Sequence, residues 1–211
     1  MTRQPNGRMI CLEGGEGAGK STALRLVRDW LEQRGRRTLI TREPGGTPAA
    51  EKLRKLLLDP QTGDIDPVTE LLLMFAARRE NVVDVIQPAL ADDIDVICDR
   101  FTDASYAYQG GGRQLGPAPV ELLAGLVHPD LQPDLVLVMD VPVDVGLERI
   151  KRRKGGPDRF EGDRQAFLER VRQAYLDRAR AHPDRYVVID AGQGLEQVGD
   201  AIRATLEKYL A

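Results

Sequence analysis

The sequence predicts an α/β fold, a doubly wound five-stranded parallel sheet, and three observations carry that expectation. Five short runs are apolar at consecutive positions, as strands covered on both faces are. Longer stretches with helical spacing separate them, so successive strands are joined by crossovers, right-handed by the usual rule. Between the first run and the first helical stretch lies a glycine-rich turn of the kind that grips phosphate.

The elements follow in order. "RMICLE" (8–13) is the first strand. "STALRLVRDWLEQRG" (21–35) is helical and ends on Gly35, a usual helix stop. "RTLIT" (37–41) is the second strand, "AAEKLRKLLL" (49–58) a helix, and "TELLLMFAARRENVVDVIQPAL" (69–90) a long helix apolar on more than one face. "IDVICD" (94–99) is the third strand, and "VELLAGLV" (120–127) a short helix. "DLVLVMD" (134–140) is the fourth strand, followed by the helix "VDVGLERIKRR" (143–153). "FLERVRQAYLDRARA" (167–181) precedes the fifth strand, "RYVVID" (185–190), and "LEQVGDAIRATLEKYL" (195–210) closes the chain. No internal repeat, low-complexity tract or interdomain linker interrupts this series, so 1–211 reads as one domain. The single composition shift is "KRRKGGPDRFEGDR" (151–164), basic, glycine-rich and too poor in apolar residues to be core.

Composition narrows the function. At 211 residues with 42% hydrophobic content, the chain supports one sizeable core. Thirty basic against 33 acidic residues leave no surplus to draw it onto nucleic acid or anionic lipid. The N-terminus lacks an apolar targeting region and no run reaches the length of a membrane span, so a cytoplasmic protein is expected. Cys11 and Cys98 each sit inside a strand and read as small buried hydrophobes rather than a disulfide or metal pair. His128 and His182 each precede proline in loops and read as capping or surface groups, not zinc ligands.

The motif Gly14-x-x-x-x-Gly19-Lys20-Ser21, after a strand and opening a helix, is the P-loop in its required context. Gly14, Gly15, Glu16, Gly17, Ala18, Gly19, Lys20, Ser21 and Thr22 are the candidate ATP-binding residues. Lys20 should reach the β- and γ-phosphates, and the Ser21 hydroxyl should meet Mg²⁺. No N-K-x-D guanine-reading motif is present. Ligands of such sheets gather at the carboxyl edge, where strand two runs into "TREPGGT" and strand three into "CDRFTDASYAYQGGGR". Arg42 and Arg100 therefore stand where a second substrate would lie, and arginine offers bidentate donation to phosphate. Asp99 is the natural direct or second-sphere partner of Mg²⁺.

Six stretches, "EGGEGAGKST", "TREPGGT", "LLLMFAARRE", "DRFTDASYAYQGGGR", "PDLVLVMDVPVDVGLERI" and "DRFE", resemble thymidylate kinases of the bacterial type, in that order and over nearly the whole chain. The resemblance implies a P-loop nucleoside-monophosphate-kinase fold with a lid at about 151–164, transfer of the γ-phosphoryl group from MgATP to dTMP, and a homodimer. It also implies residue roles. Phe75 matches an aromatic that stacks on thymine, and Arg79 an arginine that donates to a base carbonyl. Ser105 and Tyr108 match positions lining the nucleoside pocket, with Gln109 beside them at the base. Arg149 matches a position that packs on adenine, and Glu16 one that faces the deoxyribose 3′-OH. The P-loop lacks an arginine of its own, and the lid resembles the source of the catalytic one, with Arg153 and Arg159 favoured and Arg152 behind them. Departures exist: Arg78 stands where many relatives have asparagine, Phe101 where tyrosine is common, and Ala104 where serine is frequent.

A monophosphate offers an anionic oxygen at neutral pH, its second pKa being about 6. This transfer needs no general base, which suits a site rich in arginine and lacking a candidate histidine. The rival readings are another nucleotide or nucleoside kinase, the latter needing a base for its neutral hydroxyl, and a regulatory module that binds nucleotides without transferring phosphate.

Overall fold

The computed structural model describes residues 7–154 and 161–210, with side chains at 7–152 and 164–210. Its sheet is parallel throughout, with strands β1 (Met9–Glu13), β2 (Thr38–Arg42), β3 (Asp95–Asp99), β4 (Leu135–Asp140) and β5 (Tyr186–Asp190) in the order β2-β3-β1-β4-β5. All five predicted strands are present within one residue of the apolar runs. β1 is central, with Cys11 level with Cys98 of β3 on one side and Val136 of β4 on the other.

The consecutive apolar positions are explained by two separate cores. Ile10, Leu12, Leu135 and Leu137 face helices α1 (Lys20–Glu32) and α9 (Leu195–Leu210), where Val27, Trp30, Ile202 and Leu206 meet them. Met9, Cys11, Val96, Cys98 and Val136 face the other way, toward the π-helical turn Val82–Ile86, which follows α3 (Pro67–Asn81), and toward α4 (Gln87–Ala91) and α8 (Glu161–Ala181). Cys11 and Cys98 are both free and buried, as expected. Period-two alternation thus sends each strand's side chains into a different layer.

α2 (Pro48–Leu58) begins at Thr47, whose hydroxyl accepts from Ala50 N, and α3 at Asp66, whose carboxylate accepts from Val68 N and Thr69 N. Both then place proline at the first helical position, where its missing N–H costs nothing. α5 (Thr102–Ser105) runs on into a π-helical segment, Tyr106–Gly112, where the sequence suggested no helix. α6 (Ala118–Val127) and α7 (Val143–Lys154) complete the set. His128 holds the C-cap position of α6, in keeping with its capping reading, but it is not at the surface. Its ring is 2% exposed, hydrogen-bonded to the Thr102 hydroxyl at 2.8 Å and packed against Phe101. Among the described residues no helix is long and apolar enough to cross a membrane.

Candidate active site

The carboxyl ends of β1, β2 and β3 deliver the candidate residues to one edge of the sheet. The loop from Gly14 to Gly19 joins β1 to α1 in a conformation only glycine tolerates at two close approaches. Gly17 has φ 73°, and a Cβ there would stand 2.3 Å from the Gly146 carbonyl oxygen on α7. Gly14 has φ 129°, and a Cβ there would stand 2.3 Å from the Met139 carbonyl oxygen on β4. No side chain caps α1, so its first turn is available to an anion.

Lys20 folds back onto this loop, its Nζ donating to the carbonyls of Gly14 at 3.1 Å and Gly15 at 3.0 Å. Burial, and then the nearby Arg100 cation, lower its pKa to about 7, against the attraction of Asp99, Glu13 and Glu16. A half-buried lysine whose charge is opposed by a neighbouring arginine is an environment that favours an anion. Asp99, at the end of β3, keeps one carboxylate oxygen buried without a hydrogen-bond partner. Ser21 and Asp99 are thus the oxygen donors at hand. Among the described residues no group of three or more His, Cys, Asp or Glu could hold a metal.

Arg42 pairs with Glu51 of α2 at 2.8 Å, and its side chain is half exposed. Arg100 follows β3 with φ 69°. Its guanidinium donates to the hydroxyls of Tyr175 at 3.1 Å and Tyr108 at 2.9 Å. Glu13, wholly buried at the end of β1, accepts from Tyr175 Oη at 2.8 Å and Phe101 N at 2.6 Å. Burial, then Asp103, raise the Glu13 carboxyl to about 7, while Arg100 and these two donors oppose the rise.

Beyond Arg100 the structure builds a second slot. Arg78, wholly buried, donates Nε to Glu43 at 2.6 Å and Nη2 to Phe101 O and Ser105 Oγ, each at 3.0 Å. Its Nη1 is buried with no acceptor. Its guanidinium lies 4.3 Å from the Phe75 ring centroid, so the stacking contact expected of Phe75 is taken by Arg78. Phe75 itself is only 2% exposed. Arg79 points elsewhere, donating to Val127 O at 2.7 Å at the end of α6. Gln109 donates to Glu70 at 2.7 Å and keeps its Oε1 buried without a donor. Sequence reasoning passed over Arg78 and Glu43. The available signal was spacing: Phe75 and Arg78 at i and i+3 share a helix face as surely as i and i+4.

On the donor side, Arg149 of α7 reaches Gly17 O at 3.4 Å. Glu16 meets Arg164 of α8 at 3.0 Å, with its side chain partly exposed. Arg152 is exposed; Arg159 and the Arg153 side chain lie outside the described residues.

The family model for thymidylate kinase matches residues 12–202. The chain is 52% identical over 206 residues to a thymidylate kinase of Chromohalobacter salexigens, covering 97% of both chains. It is 55% identical over 201 residues to a thymidylate kinase of Pseudomonas putida strain W619, covering 95% of this chain and 97% of that one. A thymidylate kinase of Neisseria meningitidis is 48% identical over 202 residues, 96% of this chain and 97% of its own.

Proposed function

Because this chain belongs to the thymidylate kinase family, we propose that it transfers the γ-phosphoryl group of MgATP to dTMP, giving ADP and dTDP for dTTP synthesis. ATP lies on the P-loop from Gly14 to Thr22, with Lys20 on its β- and γ-phosphates and Arg149 toward the adenine. Ser21 and Asp99 would hold Mg²⁺, which would neutralise charge on the phosphates. The phosphate of dTMP rests between Arg42 and Arg100. One of its anionic oxygens attacks the γ-phosphorus, and the bond to the β-phosphate oxygen breaks as ADP leaves. No side chain removes a proton. Catalysis is positioning and charge stabilisation by Lys20, Arg42, Arg100 and the lid arginines, Arg153 or Arg159. Glu16 faces the deoxyribose hydroxyl, Ser105 and Tyr108 line the sugar and base, and two chains form a homodimer.

The observation that carries the acceptor assignment is a pair of buried polar atoms without partners, the donor Arg78 Nη1 and the acceptor Gln109 Oε1. Gln109 follows Ser105, to which Arg78 donates, by one helical turn. Thymine presents O4, an acceptor, beside N3–H, a donor. Cytosine presents the reverse at both positions. The base reader is therefore Arg78 rather than Arg79, with Phe75 as the apolar platform beneath it. The test is release of ADP, coupled to an optical readout, with each nucleoside monophosphate in turn. Turnover with dTMP well above dCMP, dGMP and dAMP is expected; ATP binding without transfer to any of them would leave the regulatory reading.

A further inference from the structure

Arg100 adopts a left-handed backbone, which is strained for a non-glycine residue, so its surroundings must impose it. Both amides at that point are tied to the end of β1: Arg100 N donates to Leu12 O at 3.0 Å and Phe101 N to a Glu13 carboxylate oxygen at 2.6 Å. The other Glu13 oxygen accepts from Tyr175 Oη at 2.8 Å, and Tyr175 Oη in turn accepts from Arg100 Nη1 at 3.1 Å. One buried carboxylate thus holds the amide of the residue that follows the arginine and, through a tyrosine, the arginine's head group. Each of its oxygens accepts a hydrogen bond. The residue after Glu13 is the first glycine of the P-loop, and Tyr175 belongs to α8, which begins at the far end of the lid segment.

We propose that Glu13 is a positioning residue that fixes Arg100 in register with the P-loop, so that the acceptor phosphate is aimed at the donor phosphate. Being wholly buried, it touches neither nucleotide. The inference rests on the reading of Arg100 as a ligand of the dTMP phosphate. In-line transfer is sensitive to such alignment: a displacement of about 1 Å costs roughly 100-fold in rate.

Glu13→Gln keeps the volume but turns one acceptor into a donor facing Tyr175 or Phe101. It should raise KM for dTMP about tenfold or more while KM for ATP stays within about twofold, since the P-loop has its own anchors in Met139 and Gly146. Tyr175→Phe cuts only the head-group link and should raise KM for dTMP roughly three- to tenfold. In an Arg100→Lys background either substitution should add less than about twofold, because the group they position is gone. If Glu13→Gln fails to fold, Tyr175→Phe measured in both backgrounds decides alone. Penalties that multiply fully in the Arg100→Lys background, or that fall equally on ATP and dTMP, overturn the proposal. A wild-type protein that does not phosphorylate dTMP overturns the functional reading instead, before any variant is compared.

Discussion

Two arginines adjacent in sequence have opposite environments, and on the proposed function that difference makes Arg78, not Arg79, the reader of the base. Arg78 is buried with an unpartnered Nη1, and Arg79 is spent on the Val127 carbonyl. A donor left facing the amino group of cytosine costs about 1–3 kcal/mol, roughly 10- to 100-fold in preference. Arg78→Met should therefore collapse the ratio of kcat/KM for dTMP over dCMP by that factor, whereas Arg79→Met should leave the ratio within about twofold. The reverse ranking would return the role to Arg79. Among the described residues Lys20 makes only two hydrogen bonds, both to its own loop, so Lys20→Ala should keep the fold by circular dichroism and lower kcat by about 100-fold or more. Glu16 carries the same argument on the sugar side. Wild type should use 3′-deoxy-dTMP poorly, and Glu16→Ala should discriminate less between it and dTMP. An equal penalty in both proteins would remove Glu16 from the sugar.

The elements were legible where burial on two faces writes consecutive apolar residues, as in β1, β3 and β4. The edge strands β2 and β5 are only partly buried, and the P-loop was read from its motif. The helix from Thr102 to Gly112 was not legible. Its sequence ends in three glycines and carries two tyrosines, poor helix formers, and nothing local favours it. Tertiary packing does: a Cβ on Gly111 would lie 2.9 Å from the Ala174 Cβ, and one on Gly112 would lie 2.5 Å from the Phe167 ring. These glycines let α8 lie against the π-helical turn, a partner 60 residues away that local pattern cannot reveal. The same limit hid Glu13 and Arg78, whose roles come from who surrounds them. α7 touches the P-loop through another such contact, where a Cβ on Gly146 would stand 2.6 Å from Glu16 O. Gly146→Ala should push the loop tip away, costing about 1–3 kcal/mol of stability and raising KM for ATP more than for dTMP. Equal effects on both substrates would mean the strain spreads past the loop.

At the scale of the molecule, α6 presents an apolar outer face of Leu122, 75% exposed, and Leu126, 76% exposed, and Val68 and Leu72 of α3 are each about half exposed. Covering this face is the physical reason for the proposed homodimer. Leu122→Asp with Leu126→Asp should sediment at the mass of one chain, while wild type sediments at twice that mass. A wild type that is monomeric at micromolar concentration removes the dimer. Stability against acid should depend on His128. Burial, and then Arg78, lower its pKa to about 4 in the folded protein, below the 6.5 of the unfolded chain. Between those values the unfolded state binds the extra proton, so stability falls as pH drops from 6.5 toward 4. Glu13, raised to about 7, acts in the opposite sense over its own range but is common to both proteins in a comparison. The decline in Tm between pH 6.5 and 5 should be shallower in His128→Asn than in wild type.

The central place of β1 in the sheet also sets a schedule. Its neighbours are β3 and β4, which begin at Asp95 and Leu135, so about 80 further residues must be made before the first of them exists. At translation rates of about 5–20 residues per second, that is a wait on the order of ten seconds. Throughout it, the strand leading into the phosphate loop has no lateral partner, and its five residues, all buried in the finished protein, remain open to chaperones or to other nascent chains.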